Sequence, residues 1–569
     1  MARFGGTDAV RSVFRAQYES RYQDYIDLLV SQKKPELAFD VVERSRARTL
    51  LELLESAHVD IRNGCDPDLL RKERSLRDAI SAKSSYRLQL LDAAGTEEGI
   101  TALDEQIGKL REQYEEVKTQ LRIESPAYAS LAQPQPLTAK DVQQQLLDEN
   151  TILLEYSLGD RRSYVWAVTE TSLAVYELPA RKIIEDAARN VYQLLTARGR
   201  RIDKESAQQR KVRLAQAETE YVKVSSELSQ MVLGPVASRL ENKRLLIVSD
   251  GALQYLPYAA LPSPRLSYSA SKTSPGFPAA TNDVPLVTVH EIVSLPSASA
   301  LAELRRASAN RKKPPKAVAV LADPVFDRRD ERVTASVAVI GHEKLRVVAS
   351  RSDEQTAVDD RLTRSATDVG LIRNGKYLSR LLWTQREAAA ILSATPAGQG
   401  MEALGFDANR ATAISPSLAQ YRIVHFATHA LLDSKNPELS GLVLSLVNKH
   451  GRPQNGFLDL EQIYNLNLPA DLIVLSACDT GLGQEIRGEG LIGLSRGFMY
   501  AGASRVMASL WSVDDEVTSE LMARFYRSLE QGKMSPAAAL RTAQIEVAKE
   551  ARWSSPYYWA GFQIQGEWK

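Results

Sequence analysis

In the last third of the chain, a histidine and a cysteine each come just after an apolar segment. His429 follows Ile423–Ala427 and Cys478 follows Leu472–Ser476, with one residue between segment and side chain in each case. In open α/β sheets, ligands and catalytic groups gather at the carboxyl ends of the strands. An imidazole that takes the proton of a nearby thiol creates a thiolate, which can attack a carbonyl carbon. The two residues therefore predict acyl-transfer chemistry, with Cys478 as the nucleophile and His429 as its base.

The backbone at the cysteine has a second predicted role. Gly481, three residues after Cys478, permits a sharp turn, because glycine adopts conformations that other residues avoid. Such a turn would expose the backbone N–H of Cys478. An exposed N–H can stabilise the negative oxygen that develops during acyl transfer, so we expect Cys478 to be an oxyanion donor as well.

Metal and cofactor chemistry is not expected. His425 and His429 form a His-x-x-x-His pair, but the Val, Phe and Thr around them favour a strand and no third ligand is near. The chain contains two cysteines, Cys65 and Cys478, which is too few for a disulfide framework. We expect no metal site and no cofactor, an incidental role for Cys65, and a core position for His425 beneath the active site.

Composition limits the partners. Lys plus Arg number 72 and Asp plus Glu number 71 among 569 residues, so the basic excess that supports nucleic-acid binding is missing. No apolar run approaches the roughly 18 residues of a membrane span, and the first residues lack the apolar core of a signal peptide. These features predict a cytoplasmic protein of two or three domains that binds neither nucleic acid nor membranes.

The region before residue 136 is predicted to be all helical. Residues 1–60 have spacings that are similar to one degenerate tetratricopeptide repeat, although a plain helical hairpin explains them equally well. The residues that carry this pattern are Tyr22, Tyr25, Ile26 and Leu29 on one helix and Ala38, Val42 and Ser45 on the next. Residues 61–135 are predicted to form an antiparallel coiled-coil arm, because apolar side chains recur at alternating spacings of three and four. That seam comprises Ile100, Leu103, Ile107, Leu110, Tyr114, Val117 and Leu121.

The remainder predicts an α/β fold. Residues 136–300 begin with a predicted meander of three strands, followed by two long helices and the strand Leu245–Val248. The predicted meander strands are Thr151–Leu158, Tyr164–Thr169 and Leu173–Leu178, and the predicted helices span about Arg181–Leu195 and Glu205–Leu233. Residues 301–569 alternate buried-type strands with helices, which indicates a mostly parallel sheet covered by helices on both faces. The predicted strands of this last part are Val318–Ala322, Ile423–Ala427, Leu442–Val447, Leu472–Ser476, Val506–Leu510 and Gly561–Ile564.

Several segments of this region resemble the CHAT family, caspase-like domains that occur behind tetratricopeptide repeats and are related distantly to caspases and separase. The separation of His429 and Cys478 by 49 residues (478 − 429) also suits such a domain. The matching segments lie at residues 424–430, 475–481, 488–491, 501–503, 509–515 and 556–560, with weaker matches at 250–257 and 43–48. The resemblance implies a caspase-like fold for residues 301–569, the first half of the CHAT region for 136–300, and catalytic roles for His429 and Cys478.

The resemblance also implies further site residues. The residue after the catalytic histidine is often glycine and contributes an oxyanion N–H; here it is Ala430, which keeps the N–H. In related peptidases, the edge that carries Asp514 and Asp515 borders the pocket for the residue before the cut bond, where an acid would favour Lys or Arg. The stronger alternative is that Asp514 caps the helix that begins near Glu516, and Glu489 is either a loop carboxylate or a pocket wall.

Two functions are compatible with these features. One is a cysteine endopeptidase that cuts a protein substrate and is gated by a regulatory partner bound to the N-terminal helices. The other is a non-catalytic signalling scaffold that keeps the caspase-like fold for protein–protein interaction, since fold alone does not establish chemistry. The presence of both His429 and Cys478 favours the peptidase.

Overall fold

The structure, a computed structural model, describes most of the chain. The described residues are 21–56 (side chains to 46), scattered helical positions between 68 and 120, 136–265 without 201 and 203, 284–333 without 310, 378–431, 440–476, and 489–569 without 512. The chain divides into two compact units, Met1–Ala139 and Lys140–Lys569.

The first unit contains two helices joined by a short turn, 21–31 (α1) and Pro35–Ser56 (α2). Ile26 and Ala38 are buried at 1% and 0% exposure, as the spacing predicts, whereas Tyr25 is 50% exposed. Successive helical residues point about 100° apart, so Tyr25 and Ile26 cannot both lie at the centre of one face. The helical hairpin and its likeness to a tetratricopeptide repeat both stay predictions.

The described part of the coiled-coil region contains one apolar cluster. Leu76, Tyr114 and Val117 are buried together, with Leu69 and Leu110 packed against them. Three of these residues, Leu110, Tyr114 and Val117, belong to the predicted seam, while the antiparallel coiled-coil arm as a whole stays a prediction. The seam residues Ile100, Leu103, Ile107 and Leu121, and also Cys65, lie outside the described residues.

Eleven of the described strands form one sheet in the second unit. Their order is β3-β2-β1-β4-β5-β14-β13-β12-β8-β6-β7. Neighbouring strands are parallel except in the pairs β1–β2, β2–β3 and β13–β14, so the sheet is mostly parallel. The strands are Thr151–Ser157 (β1), Ser163–Val168 (β2), Leu173–Leu178 (β3), Arg244–Val248 (β4), Ile292–Ser294 (β5), Lys316–Ala322 (β6), Gly400–Leu404 (β7), Tyr421–Ala427 (β8), Leu472–Leu475 (β12), Arg505–Ser509 (β13) and Phe562–Gly566 (β14).

The meander and the C-terminal strands belong to the same sheet. The meander is β1–β3, and β4 and β5 extend it in parallel from β1. Ser294 of β5 then pairs with Gln565 of β14. The division drawn at residue 300 in the sequence therefore does not divide the sheet.

Helices cover both faces of this sheet. The described helices of the second unit are Ala139–Gln145 (α3), Arg181–Leu195 (α4), Ala207–Val232 (α5), Ala237–Leu240 (α6), Ala298–Ala309 (α7), Thr384–Ala394 (α8), Arg410–Ala413 (α9), Leu460–Tyr464 (α10), Glu489–Tyr500 (α11), Asp515–Tyr526 (α12), Pro536–Ala548 (α13) and Pro556–Trp559 (α14). His425 of β8 contacts Tyr526 of α12, while Phe426 contacts Phe498 of α11. Consecutive strand residues point to opposite faces, so α12 and α11 lie on opposite sides. The predicted α/β class with two helical layers is confirmed.

A small antiparallel sheet continues from the end of β8. It consists of His429–Leu431 (β9), Gly441–Val443 (β10) and Phe457–Asp459 (β11), with β10 in the middle. A Cβ on Gly441 would lie 2.5 Å from the Leu458 carbonyl oxygen, so only glycine permits this close approach. This sheet fixes the backbone of the candidate catalytic histidine.

Candidate active site

The candidate site lies at the carboxyl edge of the central parallel strands. Strand β8 lies between β6 and β12, with Ala427 opposite Ala322 and Phe426 opposite Leu475. The Ser476 N–H donates to the Phe426 carbonyl at 3.1 Å, which continues the pairing one residue beyond β12. Three strands thus end side by side, as the sequence predicts for a site of this kind.

His429 is buried at this edge and its ring is held on two sides. Its side chain is 2% exposed. The ring nitrogen Nε2 lies 2.8 Å from the Ser379 carbonyl oxygen, and the Phe326 ring centroid is 5.0 Å from that of His429. A carbonyl only accepts hydrogen bonds, so Nε2 carries the proton and, in the neutral ring, Nδ1 keeps the lone pair that a base requires.

The two oxyanion assignments stay predictions. Cys478 lies outside the described residues, which stop at Ser476 and resume at residue 489. Ala430 is fully buried in β9 and pairs with Leu442 of β10.

Helix α12 begins at Asp514 and Asp515, the acidic pair that the sequence predicts to border a substrate pocket or to cap the helix. Asp514 is exposed, and its carboxylate accepts from the N–H groups of Glu516 at 3.1 Å and Val517 at 3.4 Å. Asp514 is therefore the N-cap of the helix, which is the structural alternative that the sequence also offers. Its predicted contact with substrate stays untested, as does that of Glu489, whose side chain lies outside the described residues.

The neighbouring Asp515 is half-buried and has an unusual acidity. Burial, together with the carboxylates of Glu387 and Asp514, raises its pKa from 3.8 to about 6, although a hydrogen bond from the Trp383 N–H acts in the opposite direction. A buried carboxyl near other carboxylates holds its proton more tightly, since each charge disfavours the next.

His425 occupies the buried core position that the sequence predicts. Its side chain is 0% exposed, and Nδ1 lies 3.0 Å from the Tyr526 hydroxyl. Glu387 Oε1 lies 2.9 Å from Nε2, within ion-pair distance but without the alignment of a hydrogen bond. Burial raises the pKa of Tyr526 well above its ordinary value, and the carboxylates of Glu387 and Glu530 add to this, so the hydroxyl keeps its proton. Among the described residues, no group of three or more His, Cys, Asp or Glu side chains is placed to hold a metal ion.

Ser379 was missed by the sequence prediction. It contributes a backbone carbonyl, which every residue carries, so its residue type gives no signal. Glu387 was missed too, although an acidic residue on the buried face of α8 is a detectable irregularity.

Comparison with models of protein families assigns the chain to a family. The CHAT domain model matches residues 222–567, which is more than half of the sequence. The chain belongs to the CHAT domain family. This confirms the family suggested by the motifs around His429 and Cys478.

Individual relatives match only short parts of much longer proteins. Tetratricopeptide repeat protein 28 of Homo sapiens is 28% identical to this CHAT protein over 182 residues, covering 27% of this chain and 7% of that protein. The protein of the same name from Mus musculus is 29% identical over 188 residues, with the same shares covered. The chain thus spans less than a tenth of the length of these curated relatives.

Solved structures resemble this CHAT protein at low sequence identity. The Saccharomyces cerevisiae separase–securin complex has a TM-score of 0.42 and 9% identity, covering 80% of this chain and 32% of that one. The Arg-specific cysteine proteinase gingipain R has a TM-score of 0.28 and 10% identity, covering 68% of this chain and 74% of that one. In the described part of this protein, no helix is both long and apolar enough to cross a bilayer.

Proposed function

We propose that this CHAT protein is a cysteine endopeptidase in which His429 and Cys478 act as a catalytic pair. The observation that carries the proposal is the buried His429, whose Nε2–H is directed to the Ser379 carbonyl, so that in the neutral ring Nδ1 is the nitrogen with the basic lone pair. An imidazole held in one tautomer at the carboxyl edge of a sheet is suited to proton transfer.

Chain connectivity supports the choice of Cys478 as nucleophile. Ser476 is bonded to the strand that leads into His429. Cys478 follows Ser476 by two residues in the sequence, and two residues of chain span at most about 7 Å. In chain length, a nucleophile two residues beyond Ser476 is therefore compatible with a base that follows β8.

The proposed reaction has two halves. His429 takes the thiol proton, the Cys478 thiolate attacks the peptide carbonyl, and the C–N bond breaks as the imidazolium protonates the leaving amine. Water then attacks the thioester carbonyl as His429 accepts its proton, the C–S bond breaks to release the acid product, and the imidazolium returns the proton to the Cys478 sulfur. The backbone N–H groups of Cys478 and Ala430 would stabilise the oxyanion in both halves.

Four variants test this proposal. Cys478→Ala, His429→Ala and the double variant should fall to about the same residual rate, because groups that act in one step are grossly non-additive. Cys478→Ser should be nearly inactive. Cys65→Ala is the matched control and should keep full activity, since it removes the only other thiol.

The assay is cleavage of a protein captured by Cys478→Ala, which should still bind substrate. Folding of each variant is checked by circular dichroism. If well-folded Cys478→Ala cleaves the captured protein at the wild-type rate, the peptidase proposal is wrong and the non-catalytic scaffold remains.

The N-terminal helices are proposed to bind a regulatory protein partner. All of the proposed chemistry lies after residue 420, whereas the predicted hairpin and the predicted coiled-coil arm lie within Met1–Ala139. The named relatives are tetratricopeptide repeat proteins, and helical repeats commonly present protein-binding surfaces.

A further inference from the structure

Asp323 lies directly after β6, at the same edge of the sheet as His429. It is 3% exposed, and its φ of +50° is in the left-handed region that residues other than glycine rarely adopt. Holding a residue in that region costs about 1 kcal/mol or more. The surrounding contacts must therefore favour this conformation.

The carboxylate of Asp323 binds two guanidinium groups. The Nε–H of Arg380 donates a hydrogen bond to Oδ1 and one Nη–H donates to Oδ2, with both nitrogen–oxygen distances at 2.8 Å. This is the bidentate geometry that holds an arginine most rigidly. Arg332 places a further Nη 2.8 Å from Oδ2. Hydrogen bonds to Asp323 raise the pKa of Arg380 above its ordinary value, so Arg380 stays charged.

The backbone of Asp323 is tied to the same neighbouring segment. Its N–H donates to the Thr384 hydroxyl oxygen at 3.1 Å. That hydroxyl in turn donates to the Leu381 carbonyl at 2.7 Å. Asp323 thus binds the stretch that contains residues 380–384 through both its side chain and its backbone.

Ser379 is the residue at the end of this stretch. Its own side chain is exposed and so does not fix its position. On one side, Leu378 packs against an apolar cluster that includes Phe326. On the other side, Arg380 is bound to Asp323. The Ser379 carbonyl, 2.8 Å from His429 Nε2, is therefore positioned by its two neighbours.

We propose that Asp323 and Arg380 are positioning residues that hold the Ser379 carbonyl against His429 Nε2–H and thereby fix the tautomer and orientation of the catalytic base. This inference rests on the proposed peptidase function for its consequence, but the hydrogen-bond chain itself can be measured without any substrate. Neither residue touches the reacting atoms.

The test measures the His429 tautomer in the full chain. The protein is labelled with ¹⁵N-histidine, and the His429 signals among the six histidines are assigned with His429→Ala. Long-range ¹H–¹⁵N spectra then report which ring nitrogen is protonated. In the wild type we expect the Nε2–H form at a pH where the ring is neutral.

Arg380→Gln and Asp323→Asn should each give a mixture of the two His429 tautomers. In Arg380→Lys, the fraction of the Nε2–H tautomer should lie between those of these variants and the wild type. Arg329→Gln is the control, since Arg329 makes an exposed pair with Asp327 in the same region. For any cleavage activity, kcat should fall about 10–100-fold with KM little changed, as expected when a catalytic group is displaced by a fraction of an ångström to 1 Å.

An unchanged His429 tautomer in folded Arg380→Gln would overturn the inference, and so would an equal change in Arg329→Gln. If Asp323→Asn does not fold, the Arg380→Gln and Arg380→Lys pair decides the question. Failure of the peptidase proposal alone would give a different set of results. In that case the tautomer responds to Arg380→Gln as described, but Cys478→Ala does not abolish cleavage.

Discussion

Replacing Asp515 by asparagine should stabilise the second unit at neutral pH and leave it little changed in acid. Asp515 begins α12, where burial, Glu387 and Asp514 raise its pKa from 3.8 to about 6. Above pH 6 the folded protein must keep a poorly hydrated carboxylate next to other carboxylates. Asparagine removes that charge, and its amide oxygen can still accept the hydrogen bond from Trp383.

The magnitude follows from the pKa difference. A tenfold change in a protonation equilibrium is worth about 1.4 kcal/mol, so moving the pKa from 3.8 to about 6 costs the folded state up to about 3 kcal/mol when the group is ionised. Because the folded pKa is above the unfolded value, the contribution of Asp515 to stability is fully present below pH 3.8 and is lost as the pH rises through 6. The advantage of the variant should therefore grow between about pH 4 and pH 7 and then level off.

Urea unfolding followed by tryptophan fluorescence measures this effect. All six tryptophans lie after residue 140, so their emission reports the unit Lys140–Lys569 alone. Asp514→Asn is the matched control, since an exposed N-cap accepts asparagine about as well as aspartate and should show no comparable trend with pH. If the Asp515→Asn midpoint stays parallel to that of the wild type from pH 4 to pH 8, the buried acidic cluster does not exist in the folded protein.

Three further predictions concern the catalytic pair, the core and the N-terminal unit. Sub-stoichiometric iodoacetamide should label Cys478 before Cys65, because a thiol beside an imidazole is partly ionised at neutral pH. His429→Ala should slow the labelling of Cys478. Equal labelling of the two thiols, measured by peptide mass spectrometry, would contradict the proposed catalytic pair. Glu387→Ala should lower the free energy of unfolding by about 2–4 kcal/mol, measured by urea unfolding, since it removes the carboxylate beside a buried histidine. Removing residues 1–139 should leave a folded protein with an intact pair but altered dependence on its partner; identical cleavage with the same partners would count against regulation by the N-terminal helices.

Local patterns were sufficient for the long elements of the second unit. The helix predicted at Arg181–Leu195 has the same bounds in the structure, and the meander strands agree to within a residue or so at each end. In such elements the same apolar period recurs over several residues, so the pattern is specific. The edge strand Gly400–Leu404 was missed because Ala403 is its one fully buried residue, so it lacks the apolar run of a buried strand.

Among the candidate site residues, the amino-acid sequence by itself determined which side chains could do chemistry. His429 stands out because a polar residue follows a buried strand, and the same rule applied to Val318–Ala322 would have pointed to Asp323. The caps are also local, as Asp514 demonstrates: its partners are two and three residues away.

Only the tertiary structure decided how those side chains are held. Asp323 and Arg380 are 57 residues apart, and Ser379 and His429 are 50 apart. One of these contacts uses a backbone carbonyl, which leaves no trace in residue type. Likewise, the acidity of Asp515 depends on Glu387 of another helix. Such contacts depend on which strands and helices become neighbours, and that is set by burial over the whole sheet and not by any local period.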